Sequence, residues 1–165
     1  MQKVNHPQAK WRCVVFFLIG LLILVADQLS KAWVRVSLPE GQSLFEVGFF
    51  QITHVQNTGA AFGLFRGQAL ILTIFAIISI TVILVYVFVS YRRCPWLDSM
   101  LSKLALGLVF GGIVGNLIDR LRLGHVTDFI DFGFWPAFNI ADSAVTVGVI
   151  IFAYYLLRST QTEKR

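Results

Sequence analysis

GGIVGNLIDRLRLGHVTDFIDFGFWPAFNIAD, residues Gly111–Asp142, is the stretch whose reading decides the fold. It lies between two apolar runs, yet it carries Asp119, Asp128, Asp131 and Asp142 together with Asn116, Arg120, Arg122 and Asn139. A charged side chain near lipid costs about 2.5–3.5 kcal/mol at the bilayer centre and less toward the surface. Such a stretch is either a solvated loop with its own ion pairs or a site built from two carboxylates at a membrane face.

The flanking sequence makes the membrane reading firm. Of the 165 residues, 56% are hydrophobic and only 14% are charged, against about 25% charged in a soluble domain. The apolar residues are clustered, which predicts a single polytopic domain with four spanning helices near residues 13–34, 69–89, 97–118 and 138–157. Lys3, Lys10 and Arg12 precede the apolar run Val14–Ala26. Leu24 stands where signal-peptide cleavage wants a small residue, and the run continues into Asp27-Gln28-Leu29-Ser30-Lys31, so this is read as an uncleaved span. Gly107, Gly111, Gly112 and Gly115 line the third span at a spacing that permits close helix packing.

Residues 35–68 do not span. Leu44–Val47 and Phe49–Val55 read as two short strands joined at Gly48. Asn57-Thr58-Gly59-Ala60-Ala61-Phe62-Gly63-Leu64-Phe65 then leads into an interfacial helix. The fold class is an α-helical membrane protein of four transmembrane helices, with a small β-rich segment and an interfacial helix between helices 1 and 2.

Lysine and arginine set the orientation. Lys3, Lys10, Arg12, Arg92, Arg93, Lys103, Arg158, Lys164 and Arg165 fall on one side, against Arg35, Arg66, Arg120 and Arg122 on the other. The positive-inside rule then puts both termini in the cytoplasm, with residues 35–68 and 119–137 outside. The net charge of +5 is thus a topology signal, and nucleic acid is excluded as a partner. Cys13 and Cys94 fall on the cytoplasmic side as free thiols. His54 stands alone in a strand with no second ligand at metal spacing, so no metal site is expected.

This topology brings Asp27 and Lys31, Asn116, Asp119 and Arg120, and Asn139 and Asp142 to one depth just under the outer surface. Asp27 and Lys31 are four apart and share a helix face. A lysine at a helix end can also snorkel to the surface. An ion pathway would distribute its acids over several depths; a small ion- or proton-coupled carrier is the alternative class. Two carboxylates are the chemistry on offer. A close pair shares one proton, so that one acid activates water while the other polarises a carbonyl. Asp142 is the first candidate, being nearest the membrane interior. Asp119, which precedes Arg120 and is taken as engaged by a basic neighbour, Asp128 and Asp131 are its candidate partners. Asp128 is preferred, though spacing alone leaves the choice open.

Five motifs occur in order: Asp27-Gln28-x-x-Lys31, Asn57-x-Gly59-Ala60-Ala61-Phe62, Gly115-Asn116-x-x-Asp119-Arg120, Val126-Thr127-Asp128-Phe129 and Phe138-Asn139-x-Ala141-Asp142-Ser143. Together they resemble bacterial signal peptidase II, the lipoprotein signal peptidase family, from about residue 14 to 157. The resemblance implies an aspartic endopeptidase of the bacterial inner membrane, inhibited by globomycin and needing no cofactor. It would cut diacylglyceryl-modified prolipoproteins just before the lipidated cysteine, as a monomer among membrane phospholipids, near the periplasmic face. By motif match, Asp128 and Asp142 are catalytic, and Asp27, Lys31, Asn57, Gly59, Asn116, Arg120 and Asn139 support the site. Asn116, Asn139 and Arg120 are expected to donate to the extended substrate backbone. Thr127 departs from the aliphatic residue usual at its position.

Overall fold

The computed structural model describes residues 6–59, 67–93 and 99–162. Four helices run through it: α1, His6–Ser37; α2, Ala69–Arg93; α3, Met100–Leu123; and α4, Ile140–Thr162. All four contain a stretch long and apolar enough to cross a membrane. Each helix runs past the C-terminal end of the span expected from hydropathy, while α3 and α4 begin two or three residues later than expected, at Met100 and Ile140. Polar residues added at the ends remain helical because backbone hydrogen bonding continues beyond the apolar stretch.

α3 is the central helix, packed against α1, α2 and α4. Its glycines explain how its neighbours approach so closely. A Cβ at Gly111 would stand 2.5 Å from the carbonyl oxygen of Gly20 on α1. On the α4 side, a Cβ at Gly112 would collide with the carbonyl oxygen of Ala141. Without a hydrophobic drive between helices in lipid, this backbone-to-backbone packing is what holds them. Phe16, Ile83, Val87, Leu106 and Val109 fill the core where α1, α2 and α3 meet.

The end of the bundle where α1 finishes and α4 begins carries a three-stranded antiparallel sheet, ordered β1-β2-β3. β1 is Ser43–Val47 and β2 is Phe50–Asn57, within a residue or two of the expected strands. The third strand, β3 at Val126–Asp131, lies in what the sequence reading treats as the loop 119–137. Val126–Phe129 are all buried, and the strand packs on α1 and α3. Val34, Leu38 and Phe129 form a second small core there. The β2–β3 register shifts between Ile52 and Val55, so two β2 residues oppose Phe129. His54, given no role by the sequence, meets the carbonyl oxygen of Leu38 through Nδ1 at 2.8 Å and ties β2 to the end of α1. Cys13 is a free thiol. Cys94 and residues 60–66, most of the stretch expected to lead into an interfacial helix, lie outside the described residues.

Candidate active site

Asp128 is brought to the bundle by strand pairing. Asn57 opposes Val126 across the ladder, so Asp128, two residues on, shares its face. Asn57 Nδ2 accordingly donates to Asp128 Oδ2 at 2.9 Å. Asn57 Oδ1 accepts the backbone N–H of buried Gly59 at 2.9 Å, closing a local turn.

Asp142 is positioned by a helix start. Asn139 is the N-cap of α4, and its Oδ1 accepts the backbone N–H of Asp142 at 2.9 Å. The same amide group turns its Nδ2 to Asp128 Oδ1 at 2.7 Å. One fully buried side chain therefore ties the two acids together. Asn116 on α3 completes the frame: its Nδ2 donates to Asp142 Oδ1 at 2.7 Å, and its Oδ1 accepts from Lys31 Nζ at 2.8 Å and Asn139 Nδ2 at 3.2 Å.

Beneath the two acids is a buried ionic layer. Lys31 Nζ lies 2.8 Å from Asp27 Oδ2 and 3.3 Å from Asp119 Oδ2, with all three side chains shut off from solvent. The expected Asp27–Lys31 pair thus forms, but Lys31 does not snorkel; it is enclosed, and α3 adds a second acid to it. Asp27 Oδ1 also accepts the N–H of Ala141 at 3.0 Å, joining α1 to the first turn of α4. Asp119 is engaged by Lys31 and by Arg35, 3.7 Å away, rather than by its chain neighbour Arg120. The reason is helical direction: successive residues on α3 point to different faces, and Asp119 faces α1.

The three candidate partners of Asp142 differ in their surroundings. Asp119 is held by cations. Asp131 is only half-buried, and accepts from Gln51 at 2.7 Å and from the N–H of Gly133 at 2.7 Å, away from α4. Asp128 is buried, and its direct partners are the neutral amides of Asn57 and Asn139. Burial first, and then the nearby charge of Asp142, push its carboxyl up to about 7, against the opposing effects of the two amides and Lys31.

Two of the expected backbone donors have another job. Asn116 and Asn139 direct their amide N–H groups at the two carboxylates. The Arg120 guanidinium makes no hydrogen bond or ion pair among the described residues, yet its charge acts on Asp142, Asp128 and Asp119. The sequence reading missed Gln28, whose Nε2 reaches Asp27, Gly115 and Asp119, and the pairing of Arg35 with Thr127. The Asp27-Gln28 motif was the one available signal for Gln28. Among the described residues, no cluster of three or more His, Cys, Asp or Glu could hold a metal ion.

Four membrane-crossing helices with two carboxylates bridged by one amide at their end define a membrane-embedded peptidase. The chain belongs to the signal peptidase II family: the family model described as Signal peptidase (SPase) II matches residues 19–158. A protein of Dehalococcoides mccartyi named lipoprotein signal peptidase is 48% identical over 139 residues, 84% of this chain and 86% of the relative. One of the same name from Moorella thermoacetica is 44% identical over 144 residues, 86% of this chain and 92% of the relative. Two solved structures, each titled as a bacterial membrane enzyme, share the fold at 32% identity. Their TM-scores are 0.79 and 0.74, covering 89% and 86% of this chain and 90% and 92% of theirs.

Proposed function

We propose that this chain is an aspartic endopeptidase acting on diacylglyceryl-modified prolipoproteins, cutting just before the lipidated cysteine, with Asp128 and Asp142 as its catalytic pair. The observation that carries the assignment is the shared amide of Asn139, which holds one acid through Nδ2 and the other through Oδ1. Relatives named lipoprotein signal peptidase support the substrate class. The protein works as a monomer in the bacterial inner membrane, with both termini cytoplasmic and the site near the periplasmic face, where membrane phospholipid receives the substrate's acyl chains. Globomycin blocks it.

The chemistry follows from the environments of the two acids. Asp128, pushed up to about 7, holds the proton that the pair shares. Its hydroxyl donates to the scissile carbonyl, and Asp142 takes a proton from water as the water oxygen attacks. The tetrahedral oxyanion is stabilised by Asp128 and by the guanidinium of Arg120. Collapse breaks the C–N bond, and the leaving amine receives the proton that Asp142 took from water. Lys31, Asp27 and Asn116 keep the acids from drifting.

Asp128→Asn and Asp142→Asn, each purified and given a diacylglyceryl-modified precursor peptide, should lose cleavage while remaining folded and binding the precursor. Their combination should cost little beyond either alone, because groups acting as a unit are not additive. Chelators should have no effect. Robust cleavage by Asp142→Asn would end the aspartic mechanism. Robust cleavage by Asp128→Asn, with loss in Asp119→Asn or Asp131→Asn, would replace its partner. A wild-type chain that cleaves no precursor would return the carrier reading.

A further inference from the structure

Thr127, the residue before Asp128, is wholly buried and is held at each of its polar atoms. Its N–H donates to Asp119 Oδ2 at 3.1 Å, its carbonyl oxygen accepts from Asn139 Nδ2 at 3.4 Å, and its hydroxyl accepts from Arg35 Nη1 at 3.0 Å. Arg35 sits in the last turn of α1, one turn beyond Lys31, and its guanidinium also lies 3.7 Å from Asp119 Oδ1.

The strand needs such an anchor. β3 pairs with β2 along one edge; on its other edge Phe129 and Ile130 exchange backbone hydrogen bonds with Phe138, and Thr127 and Asp128 lie beyond that contact. The β2–β3 ladder is interrupted between Ile52 and Val55, beside Phe129 and one residue from Asp128. A bulge leaves a residue unpaired, disrupts the ladder locally and bends the strand. Thr127 supplies what the ladder lacks, since Arg35 and Asp119 grip it from two rigid helices.

We infer that Arg35 and Thr127 are positioning residues for the peptidase reaction, clamping β3 to α1 so that the Asp128 carboxyl is held buried against Asp142. The inference rests on the aspartic reading above. The groups facing Asp128 are Asn57 from β2, Lys31 from α1, Arg120 from α3, and Asn139 and Asp142 at the head of α4. Arg35 acts through the Thr127 hydroxyl. When the clamp is lost, the strand relaxes outward, water reaches Asp128, and its proton is released at lower pH.

The test compares Thr127→Val, Thr127→Ser, Arg35→Gln and the Arg35→Gln/Thr127→Val double variant. Thr127→Val keeps shape and burial while removing the hydroxyl. Its kcat on the diacylglyceryl-modified precursor peptide should fall about tenfold, with KM within a factor of about two, because the substrate does not touch the clamp. The basic limb of its pH profile should move to lower pH. Thr127→Ser should restore both, and the double variant should be no worse than either single one. Infrared difference spectra against Asp128→Asn read the protonation of Asp128 without any substrate. The titration midpoint should be lower in Thr127→Val than in wild type and recover in Thr127→Ser. That measurement stands even if the wild-type chain cleaves nothing, which would fault the peptidase reading and leave the clamp to be judged on its own. An unmoved midpoint, a loss confined to KM, additive variants, or a serine as poor as the valine would each overturn the clamp.

Discussion

Replacing Asn139 by Ser separates the two tasks of one side chain. Asn139 caps α4 through Oδ1 and binds Asp128 through Nδ2. Serine caps a helix about as well as asparagine, so the Asn139→Ser variant keeps the helix start but has no donor for Asp128. A hydrogen bond to a charged group is worth about 1.5–3 kcal/mol, and one pKa unit corresponds to about 1.4 kcal/mol. The neutral acid also accepts weakly from an amide, so the lower end of that range applies and the shift is about one unit. The sign follows from which form the amide favours. Asn57 and Asn139 both hold down a carboxyl that burial has raised to about 7. Removing one lets it rise further, and the pair keeps its shared proton to higher pH. The basic limb of the kcat profile should therefore move up by about one pH unit, while kcat at the optimum falls because Asp128 is less well aimed. Thermal unfolding in detergent should show little change for Asn139→Ser. Asn139→Ala, which also loses the cap, should be less stable by about 1 kcal/mol. An Asn139→Ser profile whose basic limb stays in place or moves down would refute this account of what sets Asp128.

Lys31→Met should destabilise the fold by about 3–5 kcal/mol, seen as a lower unfolding midpoint, since it strands buried Asp27 and Asp119 without their shared cation. A midpoint within a degree of wild type would show that the buried layer contributes little. Gly115→Ala should cost about 1–3 kcal/mol through overpacking, because its Cβ would stand 2.5 Å from Asp27 Oδ2; equal stability would mean that Asp27 can shift freely. Reporter fusions after Arg66 and after Asp131 should both read as periplasmic, and a cytoplasmic reading at either would reverse the orientation.

The helices were legible because lipid imposes a length and a composition that a sequence shows directly. The Asp27–Lys31 pair was legible because both partners lie on one helix face. β3 was not, because a short stretch with two acids between two spans reads as loop until β2, α1 and α3 are known to pack on it. The engagement of Asp119 by Lys31 and Arg35, and of Thr127 by Arg35, joins residues far apart in the chain. No local spacing reports such contacts. Asp119, Asp128 and Asp131 look alike in the sequence; they differ in whether cations, amides or a hairpin turn receive their oxygens, and that is settled only by tertiary packing.

The i,i+4 contact between Asp27 and Lys31 has a consequence for how the chain is made. Membrane proteins are delivered to the bilayer segment by segment, and α1 arrives before Asp119 or Ala141 has been synthesised. A lone aspartate in that first segment would carry the cost of a bare charge near lipid, about 2.5–3.5 kcal/mol at the centre and less at its depth. With Lys31 one turn away, the segment brings its own counter-ion and enters as an electrically neutral unit. The second acid, Asp119, then completes a complex already waiting for it, so the least lipid-compatible part of the finished protein need never be an isolated charge in the bilayer.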